Sequence, residues 1–294
     1  MSDDSLHWLA ERPQLDAPIF VVMLTGWIDA AGAAASAMEA IETEAEASPI
    51  ATFDDDTYID FRARRPTMEL REGLNTVLQW SRINLSVGRD LAGHDLLLLT
   101  GPEPDMRWHR FSTVVADVAE SLGVSRMIAL GAYPFAAPHT RPARLSCSSA
   151  SQDVLGSVPF LRSSVDVPAG VAAALEHTLH DRGIPALGIW VQVPHYIATT
   201  SYPAASVALL DGLREAAEVV VDGTQLRQET IVQRRRLDKM VSGNDEHERM
   251  LHQLEELYDS TDDTVESEGG GPSLELRSGD ELAAEFERYL REQD

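Results

Sequence analysis

Lysine is nearly absent from this 294-residue chain: Lys239 stands alone among 24 basic residues, and the other 23 are arginine. A phosphate-loop lysine or a Schiff-base lysine would have to be that one residue, which lies in a charged helical stretch. Cysteine is as scarce. Cys147 is the only one, so a single chain forms no internal disulfide and no cysteine-built zinc site, which fits a reducing cytoplasm. Positive charge is short overall, with 24 basic against 48 acidic residues, a net charge of -24 and a pI near 4.6. Such a surface repels nucleic-acid phosphates and anionic lipids, so neither nucleic acid nor membrane is an expected partner. No apolar run approaches the ~20 residues of a membrane span. The first residues, with Asp3 and Asp4, lack the basic start and apolar centre of a secretion signal. GxSxG, HExxH and Walker A patterns are all missing. His177 and His180 fall three apart on one helical stretch without an evident third ligand, so no metal and no cofactor are expected.

What is present is the alternation of short apolar runs with amphipathic stretches from residue 19 to about 222, the signature of an α/β fold. Ile19–Thr25 (IFVVMLT) reads as a buried strand ending at Gly26, with an Ala-rich helix following Asp29 to about Ala47. Residues 94–100 (HDLLLLT) repeat the design: the strand ends at Gly101, and Asp105 is placed to cap a helix carrying Trp108, Phe111, Val115, Val118 and Leu122. Residues 125–131 form the next expected strand, with Gly131 as its turn. A helix over 169–182 stopped by Gly183, a strand over 186–193 and a helix opened by Ser201 and Pro203 complete the series. The less regular segments 52–60 and 74–87 are candidates for further strands of a mixed sheet. After Asp222 charged helical stretches over 225–242 and 246–258 suggest an appendage. The expected organisation is an α/β domain over 1–223, a charged helical appendage over 224–260, a flexible linker over 261–277 and an amphipathic helix over 278–294. From Thr224 onward there are 19 acidic and 9 basic residues, so both parts are acidic.

Four clusters could carry chemistry, each where a strand hands over to a loop, the position at which open α/β sheets bind ligands. The first is GWIDAAG, with Gly26 in a tight turn, Trp27 at the rim and Asp29 as a helix cap or ligand contact. The second is GPEPD, where two prolines fix the direction of Glu103 after Gly101. The third runs from Gly131 to Ala143 and holds Tyr133 and the sequence PHTRP, in which His139, Thr140 and Arg141 sit between prolines. An arginine so placed suits an oxyanion, and the histidine titrates near neutrality. The fourth is Pro194-His195-Tyr196. No complete catalytic set is legible, and each cluster also reads as local structure: a turn, a cap or a hydrogen-bonded rim.

In this order the segments GWIDAAGAA, LLLLTGPEPDMRW, LGVSRMIALGAYPFAAPHTRP, VPHYIATTSYPAASVALLDGL and SGDELAAEFERYLRE resemble the bacterial, chiefly actinobacterial, branch of the proteasome assembly chaperone 2 (PAC2) family. The resemblance implies a three-layer α/β/α sandwich with a mixed sheet, like that of nucleoside phosphorylases, with a helical C-terminal extension. It also implies homo-oligomers, trimers among them, and protein partners, proteasome-related ones included. The expectation is a non-enzymatic assembly chaperone or scaffold. The rival expectation is a phosphorylase-like crevice that binds a nucleoside, nucleotide or oxyanion through Gly26, Gly101, Glu103, Arg141 and a histidine.

Overall fold

The computed structural model describes residues 5–265 together with 273 and 274. Its centre is four parallel strands made from the apolar runs: β2 (Ile19–Thr25), β7 (Asp95–Pro102), β8 (Arg126–Phe135) and β11 (Ala186–Pro194). Strands buried on both faces read as continuous apolar sequence, which is why these four were visible. The sheet continues through antiparallel neighbours, β6 (Asn84–Arg89), β3 (Ser48–Phe53) and β1 (Leu6–Trp8) on one side and β9 (Leu145–Ser148) on the other. The order is β1-β3-β6-β7-β2-β8-β11-β9.

Alternation along each strand divides the core in two. Val21 and Met23 of β2 and Leu96 and Leu98 of β7 pack under α1 (Ala33–Glu44) and α6 (Pro203–Ala217). Phe20, Val22, Leu97 and Leu99 face the other way, against α3 (Trp108–Ser121) and α5 (Val171–Asp181). The result is the three-layer α/β/α sandwich with a mixed sheet. Short helices α2 (Asp55–Tyr58) and α4 (Gln152–Gly156) and the two-residue strand β10 (Arg162–Ser163) fill connections. Of the two segments expected as further strands, 52–60 supplies only the end of β3 before α2 begins at Asp55, and 74–87 divides. Residues 84–89 join the sheet, whereas β4 (Thr67–Arg71) and β5 (Leu74–Gln79) pair only with each other as a hairpin outside it.

Two local expectations are corrected. Asp105 does not cap α3. Arg107, in the left-handed region at φ 61°, occupies the cap position, and the Asp105 carboxylate instead accepts the Asp60 backbone N–H (2.9 Å) and Arg64 Nε (2.9 Å). Gly131 is no turn but mid-strand in β8: a Cβ there would lie 2.4 Å from the Trp190 ring, so glycine is what lets the indole lie across the strand.

Beyond α6, α7 (Thr224–Val241) and α8 (Asp245–Val265) form an antiparallel pair. Leu237 is buried with the core and Leu226 packs against it, so α7 is anchored on the sandwich. Helix α8 continues five residues into the segment expected as a linker, and Ser273–Leu274 (β12) pair in parallel with β10. The remaining linker residues and the amphipathic helix over 278–294 lie outside the described residues. Among the described residues no helix is long and apolar enough to cross a membrane.

Candidate functional site

The GWIDAAG loop is held at three points. The Asp29 carboxylate accepts the backbone N–H groups of Ala34 (2.8 Å) and Ala35 (3.1 Å), capping the first turn of α1. Asp29 also bridges to Ala132 of β8, and Ala31 N–H donates to the Ala198 carbonyl at 2.6 Å, joining the first loop to the fourth. Burial raises the Asp29 carboxyl above its usual range, opposed by the three backbone donors it meets. Gly26 has φ 123°, with Arg64 packed where a side chain would start.

Glu103 also acts as a cap, at a distance in sequence. Its Oε2 accepts the backbone N–H of Val171 (3.1 Å), the first residue of α5, while its own backbone N–H donates to Thr25 O at 2.6 Å. A carboxylate at a helix N-terminus is favoured by the unpaired N–H groups and the helix dipole. Burial pushes the Glu103 carboxyl up, and the Val171 N–H and Arg64 pull it down. Trp27 packs beside it over Gly170, where a Cβ would lie 3.1 Å from both Glu103 Oε2 and Trp27 Cδ1.

The third loop faces inward. His139 is 2% exposed. Tyr196 Oη accepts the His139 backbone N–H (2.8 Å) and lies 2.7 Å from Nδ1. Donating its own proton to Nδ1 leaves the ring proton on Nε2, which faces Asp238 Oδ1 at 3.3 Å, near enough for attraction but not aligned as a hydrogen bond. Burial, reinforced by the Arg234 guanidinium, holds the imidazole below the usual histidine range against the pull of Asp238 and Glu255. Arg234 also donates to the His139 carbonyl at 2.8 Å.

The helical extension closes over the rest of this loop. Arg141 makes a bidentate pair with Asp259 (2.8 and 2.7 Å) and reaches Glu255 at 3.3 Å; Thr140 donates to Glu255. The Arg144 guanidinium lies 3.5 Å over the Tyr258 ring, and the Tyr258 hydroxyl donates to the Pro142 carbonyl at 3.1 Å. The arginine expected to meet an external oxyanion is met by carboxylates of its own chain. Asp259 and Glu255 are four apart on one helix face, a pattern readable as an anionic stripe, but nothing local ties it to a loop more than 110 residues away.

The candidate residues therefore form two groups. Trp27, Asp29 and Glu103 surround the ends of β2 and β7; His139, Thr140, Arg141 and Tyr196 lie under α7 and α8, with the exposed His195 ring edge-on to Tyr196 at 5.4 Å. A crevice of about 430 Å³ beside the first group is lined by Thr25, Glu39, Glu42, Arg64, Arg82 and Gly101. A second, of about 520 Å³, runs between the PHTRP loop, α6 and α7. Neither is lined by both groups. Tyr133 belongs to a third place: its hydroxyl meets Ser146 Oγ (3.2 Å) and accepts from Gln192 Nε2 (3.1 Å) at the β9 edge. Among the described residues no cluster of three or more metal-ligating side chains forms.

Tyr196→Phe isolates the His139 bracket. It strands a buried backbone N–H and one imidazole nitrogen, so stability is expected to fall by about 1–3 kcal/mol in urea denaturation. A loss below about 0.5 kcal/mol would mean that the hydroxyl is not holding the loop.

Comparison with known proteins follows the same lines. The sequence profile described as the PAC2 family matches residues 23–241. A protein of unknown function from Corynebacterium glutamicum is 32% identical with a TM-score of 0.81, covering 88% of this chain and 98% of that one. The Mycobacterium tuberculosis protein of unknown function Rv2714 is 30% identical with a TM-score of 0.82, over 91% and 92%. The proteasome-assembly chaperone homologue Rv2125 from the same organism is 29% identical with a TM-score of 0.73, over 80% and 99%. No curated protein matches.

Proposed function

The chain belongs to the PAC2 family, and from that premise we propose that it works in the cytoplasm by binding proteins, as a homo-oligomeric assembly chaperone or scaffold, rather than by transforming a small molecule. The observation that carries this reading is the fate of the polar loop residues. Asp29 and Glu103 cap helices, His139 is bracketed by Tyr196, and Arg141 pairs with Asp259 and Glu255 of α8, so each already serves the fold. These surfaces also expose apolar side chains among their charged ones. Trp27, Ile28 and Met106 are exposed around the strand ends, and Ile231, Val232 and Met240 along α7. Exposed apolar groups on an acidic protein suit a protein partner.

The similarity to a protein described as a proteasome-assembly chaperone homologue makes proteasome subunits the first partners to test. The purified chain is mixed with actinobacterial 20S α and β subunits, and complexes are followed by size-exclusion chromatography. Co-elution with free subunits or half-assembled rings is expected. If the chain neither co-elutes nor changes the rate of assembly, the proteasome reading is lost.

The crevice at the ends of β2 and β7 favours a second reading, a small ligand carrying charge, because Arg64, Arg82, Glu39 and Glu42 all line it. A thermal-shift panel of nucleosides, nucleotides and phosphate tests it, and no shift with any of them removes it.

A further inference from the structure

The β4–β5 hairpin is tight, with both turn residues, Glu72 (φ 49°) and Gly73 (φ 86°), at the positive φ that a two-residue hairpin turn requires. Its two faces differ in kind. On one, Glu69 accepts from Gln79 Nε2 (2.9 Å) and lies 3.4 Å from Arg71 Nη2, so polar contacts surround Val77 and Leu74, which stand opposite Glu69 and Arg71. On the other, Met68 stands opposite Leu78, with Leu70 two residues along β4. These three are 50%, 43% and 53% exposed, and among the described residues the hairpin pairs with no other strand. A two-stranded ribbon with one apolar face in water is marginal by itself, and alternation of this kind belongs to a sheet with one covered face.

Charge identifies what covers it. Residues 61–82 hold five arginines and two glutamates, a net +3, while the rest of the chain carries -27. A basic arm with an apolar face fits an acidic surface that offers apolar groups, and this chain displays one: Glu39 and Glu42 line the crevice at the ends of β2 and β7, the exposed Trp27 and Ile28 follow β2, and Met106 follows β7. They lie at the same end of the sheet as Arg64 and Arg82, which flank the hairpin and line the crevice there. We propose that the Met68–Leu70–Leu78 face of the hairpin docks on a second copy of this chain, against the acidic, apolar rim at the ends of its parallel strands. The inference rests on the homo-oligomeric reading above and gives it a surface. An arm of one copy on the rim of the next is a heterologous contact, which closes into a ring when the rotation allows.

The experiment compares the wild type with the Met68→Asp/Leu78→Asp double variant by sedimentation and light scattering, with hydrogen exchange at residues 67–79 in concentrated and dilute samples. The wild type is expected to be oligomeric, with exchange at 67–79 slowing as concentration rises. The double variant is expected to be monomeric at the same concentration, its dissociation constant raised roughly 100-fold or more, with unchanged near-ultraviolet circular dichroism. A monomeric wild type overturns the homo-oligomeric reading and the second copy with it. An oligomeric wild type that the substitutions leave intact, or protection of 67–79 that ignores concentration, overturns the arm alone.

Discussion

Gly101→Ala is expected to lose about 3–5 kcal/mol of stability, enough to lower the melting temperature by about 10 °C or to prevent folding. Two costs combine at this residue. Its φ of +127° lies outside even the left-handed region that other residues occasionally visit, and a Cβ would sit 2.3 Å from the Arg82 carbonyl oxygen and 2.9 Å from Ile83 Cα. Both neighbours are backbone, so no side chain can swing away, and relief requires β7 to part from the segment that leads into β6. Gly73→Ala separates the two costs, because its φ is +86° but nothing lies within 4 Å of the new Cβ. Strain alone, about 1–2 kcal/mol, is expected there. Gly156→Ala, in α4 with open space and an ordinary φ, is expected to be neutral or slightly stabilising. Urea denaturation of the three variants orders them. If Gly101→Ala loses no more than Gly73→Ala, the close approach of Arg82 to β7 is wrong, and with it the shape of the crevice.

That glycine illustrates how far the sequence could be read. Gly101 was visible as the end of a strand because an uninterrupted LLLL run precedes it, and buried parallel strands announce themselves in this way. The backbone pressed against it comes from the connection before β6, whose residues Asn84–Arg89 are mixed in polarity and carry no comparable signal. The half of the sheet built from β1, β3 and β6 is accordingly indistinct in sequence, and the segment 74–87 runs β5 and the start of β6 together. Helices are legible where a glycine stops them, as at Gly183, and where proline opens α6.

The candidate site was legible as a set of unusual loops but not as an arrangement. PHTRP stood out because prolines isolate a histidine and an arginine. Whether Arg141 meets a ligand or its own chain depends on α8, and the same guanidinium chemistry serves both. Glu103 was read as a directed carboxylate, and it is one, but what it meets is the first N–H of α5, 68 residues away. One buried acid passed unnoticed although a signal was present. Ala172, Leu175, Glu176 and Leu179 fall at i, i+3, i+4 and i+7, so Glu176 occupies a position on the apolar face of α5.

Glu176→Gln is expected to leave the protein about 3 kcal/mol more stable than the wild type at pH 8, relative to their difference at pH 4.5. Glu176 is 5% exposed and lies over the β9–β11 pair, where Gly188 has no side chain to exclude it. Its Oε1 accepts from Ser148 Oγ at 3.0 Å, and Ser148 in turn accepts from Trp190 Nε1 at 3.3 Å. Neither partner brings a charge, so burial dominates and the carboxyl is pushed up from 4.5 to about 7, with the Ser148 hydrogen bond opposing. Below pH 4.5 the group is protonated in both folded and unfolded chains and costs nothing. Between 4.5 and 7 the folded chain holds a proton that the unfolded chain has released, so stability falls as pH rises. Above pH 7 the carboxylate is charged in the folded interior and the loss is complete. Glutamine keeps the shape and the acceptor for Ser148 and carries no charge at any pH. His139 changes stability in the opposite direction, because a histidine held low loses stability as pH falls through its range, but it does so in both proteins and cancels in the difference. Urea denaturation of the pair at pH 4.5, 6, 7 and 8 gives that difference directly. A gap that opens across 4.5 to 7 and then stays constant supports a neutral buried acid at the β9 edge. A gap that is flat with pH would mean that water or a counter-charge reaches Glu176 and that this face of the sheet is open.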